Sequence, residues 1–176
     1  MKLDNPHQVK THAKRRQQLA KQLKEGLVLL PTALERTRNA DSHYDYRWDS
    51  YFYYLSGFRE PEAVVALVLG KRPRAILFCR EKNLEREIWD GFRFGPQLAR
   101  EAFGFDEAYP IGELDQRVAD LMANQSVLHT PVGWDTAWDL RVTQWLNTVR
   151  SRARAGISAP SEIRDVRSAL NGMRLI

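Results

Sequence analysis

The stretch "DSHYDYRWDSYFYYLSGFREPEAVVALVL", residues 41–69, holds the key to this chain. Its first half crowds Tyr44, Tyr46, Trp48, Tyr51, Phe52, Tyr53, Tyr54 and Phe58 among Asp41, Asp45, Arg47 and Asp49. Its second half passes through Ser56-Gly57 into "AVVALVL", residues 63–69, which is apolar on both alternating faces and reads as a central strand. The turn "GKRPR" and the run "AILFC", 75–79, then supply an antiparallel partner. On the near side, residues 31–62 form a long polar and aromatic connection, a length uncommon in a compact domain unless the segment is functional.

Working outward, Asn5-Pro6 is a helix start, and the helix ends at Glu25-Gly26 with Val9, Ala13, Ala20 and Leu23 on a thin apolar stripe. Leu27 to Leu30 reads as a short buried strand stopped by Pro31. Leu84 and Ile88 suggest a short helical turn ending near Asp90-Gly91, and Pro96 to Phe103 a helix closed by Gly104. Leu114, Val118, Leu121 and Met122 mark an amphipathic helix. Residues 126–130 read as a strand, and Asp135 caps a helix with Trp138, Val142, Trp145, Leu146 and Val149 on one face. Ser161 is expected to cap a last helix with Ile163, Val166 and Leu170 inward, and "MRLI" has the character of a strand cut short. Helices interleaved with short strands around an antiparallel hairpin predict an α/β fold: a mixed β-sheet flanked by helices on both faces.

Bulk composition narrows the function classes. With 176 residues the chain is about one domain, and 43% hydrophobic with 28% charged residues is ordinary globular composition. The single cysteine, Cys79, allows no internal disulfide and suits a reducing compartment. No apolar run approaches the length of a membrane span, so a cytoplasmic protein with no membrane partner is expected. The net charge of +5 concentrates in Lys10–Lys24 and Arg141–Arg154. Without a known nucleic-acid-binding motif these read as solvated helix faces, and no nucleic-acid partner is expected.

The chemistry-bearing residues form no catalytic set. His7, His12, His43 and His129 fall into no metal-ligand spacing, and Cys79 sits in an apolar strand. Nucleophile elbows and phosphate-cradling glycine loops are missing from the sequence. Asp41, Asp45 and Asp49 recur every four residues; they read as turn and cap acceptors, with a cation site as the alternative. The aromatic segment reads as part core and part interface, since Tyr and Trp suit surfaces with one apolar and one wet side.

The same segment resembles the signature D-S-x-Y-x-[FY]-R-x-[DN]-S-x-F-x-Y-L-[ST]-G-F-x-E-P-[ED]-A of the N-terminal, creatinase-like domain of Xaa-Pro aminopeptidases (aminopeptidase P). "EREIWDGFRFG", 85–95, is similar to the family's E-x-W-x-G-x-R-x-G segment, and "ISAPSEIRDVRSALNGMRLI", 157–176, to its linker and the start of its catalytic part. Trp48 departs from the family, where a polar residue is commoner. The resemblance implies a ribonuclease H-like three-layer domain over residues 1–172, with 173–176 opening a C-terminal pita-bread catalytic domain. It implies two divalent ions, usually manganese, held beyond Ile176, so no catalytic residue, metal ligand or cofactor is expected in this chain. It further implies partners: the catalytic domain of the same polypeptide, other copies in a dimer or tetramer, and peptides with proline second. By motif position it puts Asp41, Trp89 and Arg154 at the substrate mouth, Trp89 as a flat apolar face and the other two as polar anchors. The alternatives from the residues themselves are a cap, core packing and a solvated charge. Two other functions fit the same resemblance: a stand-alone peptide- or protein-binding module, and the N-terminal domain of a prolidase-type dipeptidase.

Overall fold

The computed structural model describes residues 6–40 and 42–175. Eight strands and seven α-helices follow along them. Helix α1 (Pro6–Leu23) leads to β1 (Leu27–Pro31), a small ribbon of β2 (Thr37–Asn39) and β3 (Ser42–His43), and α2 (Ser50–Ser56). The hairpin β4 (Val64–Val68) and β5 (Arg74–Cys79) is followed by α3 (Leu84–Asp90), α4 (Gly95–Phe103) and β6 (Glu107–Pro110). Then come α5 (Leu114–Met122), β7 (Val127–Thr130), α6 (Thr136–Arg150), β8 (Glu162–Asp165) and α7 (Val166–Arg174).

Six strands form one sheet in the order β6-β5-β4-β1-β7-β8. Strand β4 is antiparallel to both neighbours, while β5 with β6, β1 with β7, and β7 with β8 pair in parallel. Five strands therefore run one way and β4 alone runs the other, which is the expected mixed sheet. Side chains of a strand alternate between faces, and here both faces are covered. Val28, Leu30, Val65, Leu67, Leu77 and Cys79 pack with Leu19, Phe52, Leu55, Phe58, Phe103 and Leu170 on one side. Leu27, Leu29, Val64, Ala66, Ile76 and Phe78 pack with Val118, Met122, Trp138, Trp145 and Val149 on the other. The three-layer α/β architecture is thus helix, sheet and helix, with its core split into two.

Gly26 makes the entry to β1 possible. It holds φ +102, and a Cβ there would lie 2.3 Å from the Val127 carbonyl oxygen. No side chain fits between β1 and β7 at that point.

The structure corrects the expectation in several places. The connection 31–62 contains α2, a seven-residue helix capped by Asp49, whose Oδ1 accepts from the amides of Tyr51 and Phe52 at 2.9 Å each. Strand β6 lies where only a link was expected. Ser161 does not cap the last helix: residues 162–165 pair with β7 as β8, and Asp165 caps α7 instead. Ile163 is 46% exposed rather than inward, whereas Val166 and Leu170 are buried as expected. Met173 and Arg174 are helical, not strand-like. The basic run of α1 is not wholly solvated either. Arg16 is 4% exposed, donates to Leu55 O at 2.8 Å and Phe103 O at 3.3 Å, and stacks over Phe105. Burial lowers its pKa to about 10, against the pull of Asp106. The proposed Asn5 cap lies outside the described residues.

Candidate functional site

Because the parallel strands share a direction, their carboxyl ends share an edge. From that edge rise the loop after β1, helix α3 after β5, and the loop 131–135 after β7. Loops at the carboxyl ends of such sheets are where α/β folds place ligands. A cavity of about 680 Å³ opens there, between residues 33–36, residues 44–50, and Trp134 with Asp135. Its walls mix aromatic rings with Glu35, Asp45, Asp49, Arg36 and Arg47.

The aromatic segment divides by depth. Phe52, Leu55 and Phe58 are wholly buried. Phe58 meets Phe103 edge-on with ring centres 5.2 Å apart. Tyr51 and Tyr54 hold α7 down: Tyr51 OH donates to Asn171 Oδ1 at 2.6 Å and Tyr54 OH to Met173 O at 3.1 Å. Tyr46 fastens the loop to β1, donating to Ala33 O at 3.1 Å and lying 2.8 Å from Thr32 Oγ1. Burial pushes its phenol up to about 12, so it stays protonated at neutral pH. The Arg59 guanidinium lies 5.3 Å from the ring centres of both Trp48 and Tyr53, and donates to Tyr53 OH at 2.9 Å. Tyr44 is left 59% exposed at the cavity. The rim is therefore fixed from beneath and aromatic on top.

Helix α3 is built differently. Asn83 caps it, with Oδ1 accepting from Arg86 N at 3.0 Å. Its apolar side chains face outward: Leu84 is 71% exposed, Ile88 78% and Trp89 87%. Phe92, just beyond, is 45% exposed and lies 4.1 Å from the Lys82 ammonium. The result is an apolar spur at the carboxyl edge.

Of the three site residues expected from the motifs, Trp89 is on this spur, so it is a surface residue and not core. Asp41 lies outside the described residues. Arg154 is exposed in a single turn of 3₁₀ helix, Ala153–Ala155, after α6 has run back across the sheet. The neighbouring Ser158 bonds Asn124, just before β7, which puts that turn at the amino edge. Within one copy, Trp89 and Arg154 are at opposite edges. Of the three aspartates in the loop, Asp49 is a helix cap. Among the described residues, no group of three or more His, Cys, Asp or Glu side chains could hold a metal ion. His129 is buried, with Nε2 3.0 Å from Glu25 O, and burial lowers its pKa. Burial likewise raises the Cys79 thiol to about 12, which leaves it unreactive. No helix among the described residues is long and apolar enough to cross a membrane.

Sequence reasoning missed the stack of Arg59 on Trp48 and Tyr53, and missed Glu60. Glu60 is 4% exposed, and its Oε1 accepts from Phe94 N at 2.8 Å. The adjacent Pro61 and the apolar strand that follows were the available signal for a buried, bonded carboxylate.

The fold is a known arrangement. The chain belongs to the family described as aminopeptidase P, N-terminal domain, whose model matches residues 12–129. It is 36% identical over 165 residues to the Xaa-Pro aminopeptidase of Escherichia coli K12, covering 92% of this chain and 37% of that protein. It is 34% identical over 151 residues to the Xaa-Pro aminopeptidase of Haemophilus influenzae, covering 85% of this chain and 32% of that protein. The low-pH form of Escherichia coli aminopeptidase P superimposes with a TM-score of 0.91 at 35% identity, over 95% of this chain and 39% of that one. A zinc-substituted form of that enzyme with bound product gives 0.89 at 34% identity, over 92% and 38%. The chain thus spans under two fifths of the length of these relatives.

Proposed function

We propose that this chain is the non-catalytic N-terminal domain of a metal-dependent Xaa-Pro aminopeptidase, which releases the residue preceding proline from the amino end of a peptide. The observation that carries this is the pairing of two facts. Nearly the whole chain matches Xaa-Pro aminopeptidases, yet it accounts for only 37% of the Escherichia coli protein. The catalytic part would follow from about residue 173 and hold two divalent ions, manganese by resemblance. Those ions would polarise the scissile carbonyl and supply the attacking hydroxide. The described residues of this chain offer no such centre, so alone it would be inactive.

Its own contribution is access. The rim and the α3 spur would lean over the mouth of a catalytic domain, its own or that of another copy in a dimer or tetramer. Trp89 presents a flat apolar face to an extended peptide, and Asp41 a polar anchor. Arg154, at the opposite edge, would reach a mouth only in another copy. A fixed rim admits a peptide end and excludes folded protein. The polypeptide would act in the cytoplasm. In the full-length enzyme, Trp89→Ala should raise KM for tripeptides and longer substrates several-fold while the metal content stays the same. Unchanged kinetics would remove Trp89 from the mouth.

A further inference from the structure

Helix α3 should not hold its position by packing. It has seven residues, too few to persist alone in water. Among its described side chains only Glu87 is even half-buried. Its fixation is polar and is concentrated in the loop that closes it. Glu87 Oε1 accepts from Arg93 N at 2.9 Å and pairs with Lys82 Nζ at 2.6 Å. Lys82 Nζ also donates to Arg93 O at 2.8 Å. The next amide, Phe94 N, donates to the buried Glu60, which comes from the entry to β4. Two carboxylates from two different elements thus hold two consecutive amides. The loop also runs close against its support: Gly95 has φ +70, and a Cβ there would lie 3.0 Å from Lys82 Cβ and 3.1 Å from Lys82 N. The chain must pass directly over Lys82.

We propose that Glu87, with Lys82 and Glu60, forms a polar hitch that sets the position of Trp89, making Glu87 a positioning residue for the substrate mouth. This rests on the reading of Trp89 as part of that mouth. A hitch of charge-assisted bonds at a solvent-facing loop fixes geometry while leaving the apolar face of the helix free for a ligand. Burying that face in the fold would have fixed the helix equally well but removed Trp89 from reach.

The test uses the full-length polypeptide. In Glu87→Ala, amide hydrogen exchange over residues 84–94 should speed up by about tenfold or more, while β4 and β5 keep their protection. KM for tripeptides should rise, and kcat for a Xaa-Pro dipeptide should hold. Glu87→Gln keeps a carbonyl acceptor for Arg93 N–H and should recover part of the protection. In a Trp89→Ala background, Glu87→Ala should change KM no further. The proposal is overturned if exchange over 84–94 is unchanged, if β4 and β5 loosen equally, or if the two substitutions add. Faster exchange combined with a kinetically silent Trp89→Ala would instead overturn the mouth reading and leave the hitch standing.

Discussion

Helices α2 and α3 begin from almost the same local instructions and end in opposite places. Each has seven residues, a side-chain cap at its start (Asp49 or Asn83) and a glycine with positive φ at its end (Gly57 or Gly91). Yet α2 sinks Phe52 and Leu55 completely, whereas α3 leaves Leu84, Ile88 and Trp89 in solvent. Caps and glycines set where a short helix starts and stops; what lies beneath it decides whether it is core or tool. The α2 region belongs to the interior through Phe58, Phe94 and Phe103, whose rings meet one another. The α3 region belongs to the surface and hangs on the Glu87–Lys82 ion pair and on backbone amides. Both lie toward the same edge of the sheet, one buried in the core and the other exposed.

The sharpest way to break this contrast is paired truncation. Phe58→Ala removes a fully buried ring and should cost about 3–5 kcal/mol of unfolding free energy. Trp89→Ala should stay within about 0.5 kcal/mol, because an exposed side chain leaves no cavity. Denaturant titration of both variants measures the difference. A large loss for Trp89→Ala would mean that α3 packs against something and that the contrast is wrong.

Caps provide a smaller effect of the same kind. Asp49→Ala should cost about 1 kcal/mol globally, since α2 melts only with the core, and Asp49→Asn should restore most of it. Asn83→Ala should leave global stability nearly unchanged and show only as faster exchange within α3. Equal global losses would mean that α3 unfolds only with the whole domain.

Acid separates the two carboxylates of the hitch. The ion pair with Lys82 and the Arg93 amide hold Glu87 below the ordinary range, so what it contributes is present above its unfolded pKa and is lost as pH falls through the lowered one. Glu60 is raised, chiefly by burial, against its bond from Phe94 N and the nearby Arg80. Its charged form therefore costs stability, and that cost appears as pH rises through the raised value. Carboxyl titration by NMR should find Glu60 above the Glu87 midpoint, on either side of the ordinary glutamate value. The reverse order would place the burial elsewhere.

The sequence was most legible where burial is one-sided or complete. Val64 to Val68 and Ile76 to Cys79 declare themselves by apolar content, and Trp138 to Val149 by helical spacing. What stayed hidden were the elements whose pattern comes from their neighbours. Strand β8 reads Glu-Ile-Arg-Asp and is largely exposed, a strand only because β7 is beside it. Strand β6 ends in Pro110 at the other edge. Charges and proline at sheet edges discourage pairing with other chains, and they also erase the alternation that would reveal a strand. Helix α2 was hidden by consecutive aromatics, which blur a spacing of three and four, although Asp49 and Gly57 bracket it correctly. At the candidate site the motifs pointed to Trp89, and nothing in the local pattern shows that Glu60 and Glu87 converge on adjacent amides, since that contact joins residues 34 and 6 positions apart.

On the proposed function, this domain guards a mouth whose chemistry lies in the rest of the polypeptide. The most direct measurement compares the chain 1–176 with the full-length polypeptide on a peptide with proline second, each supplied with manganese and assayed for the released amino-terminal residue. Cleavage by the full-length polypeptide and none by the 176-residue chain is the predicted result. Cleavage by the chain alone, or no Xaa-Pro hydrolysis by the metal-loaded full-length polypeptide, would contradict it.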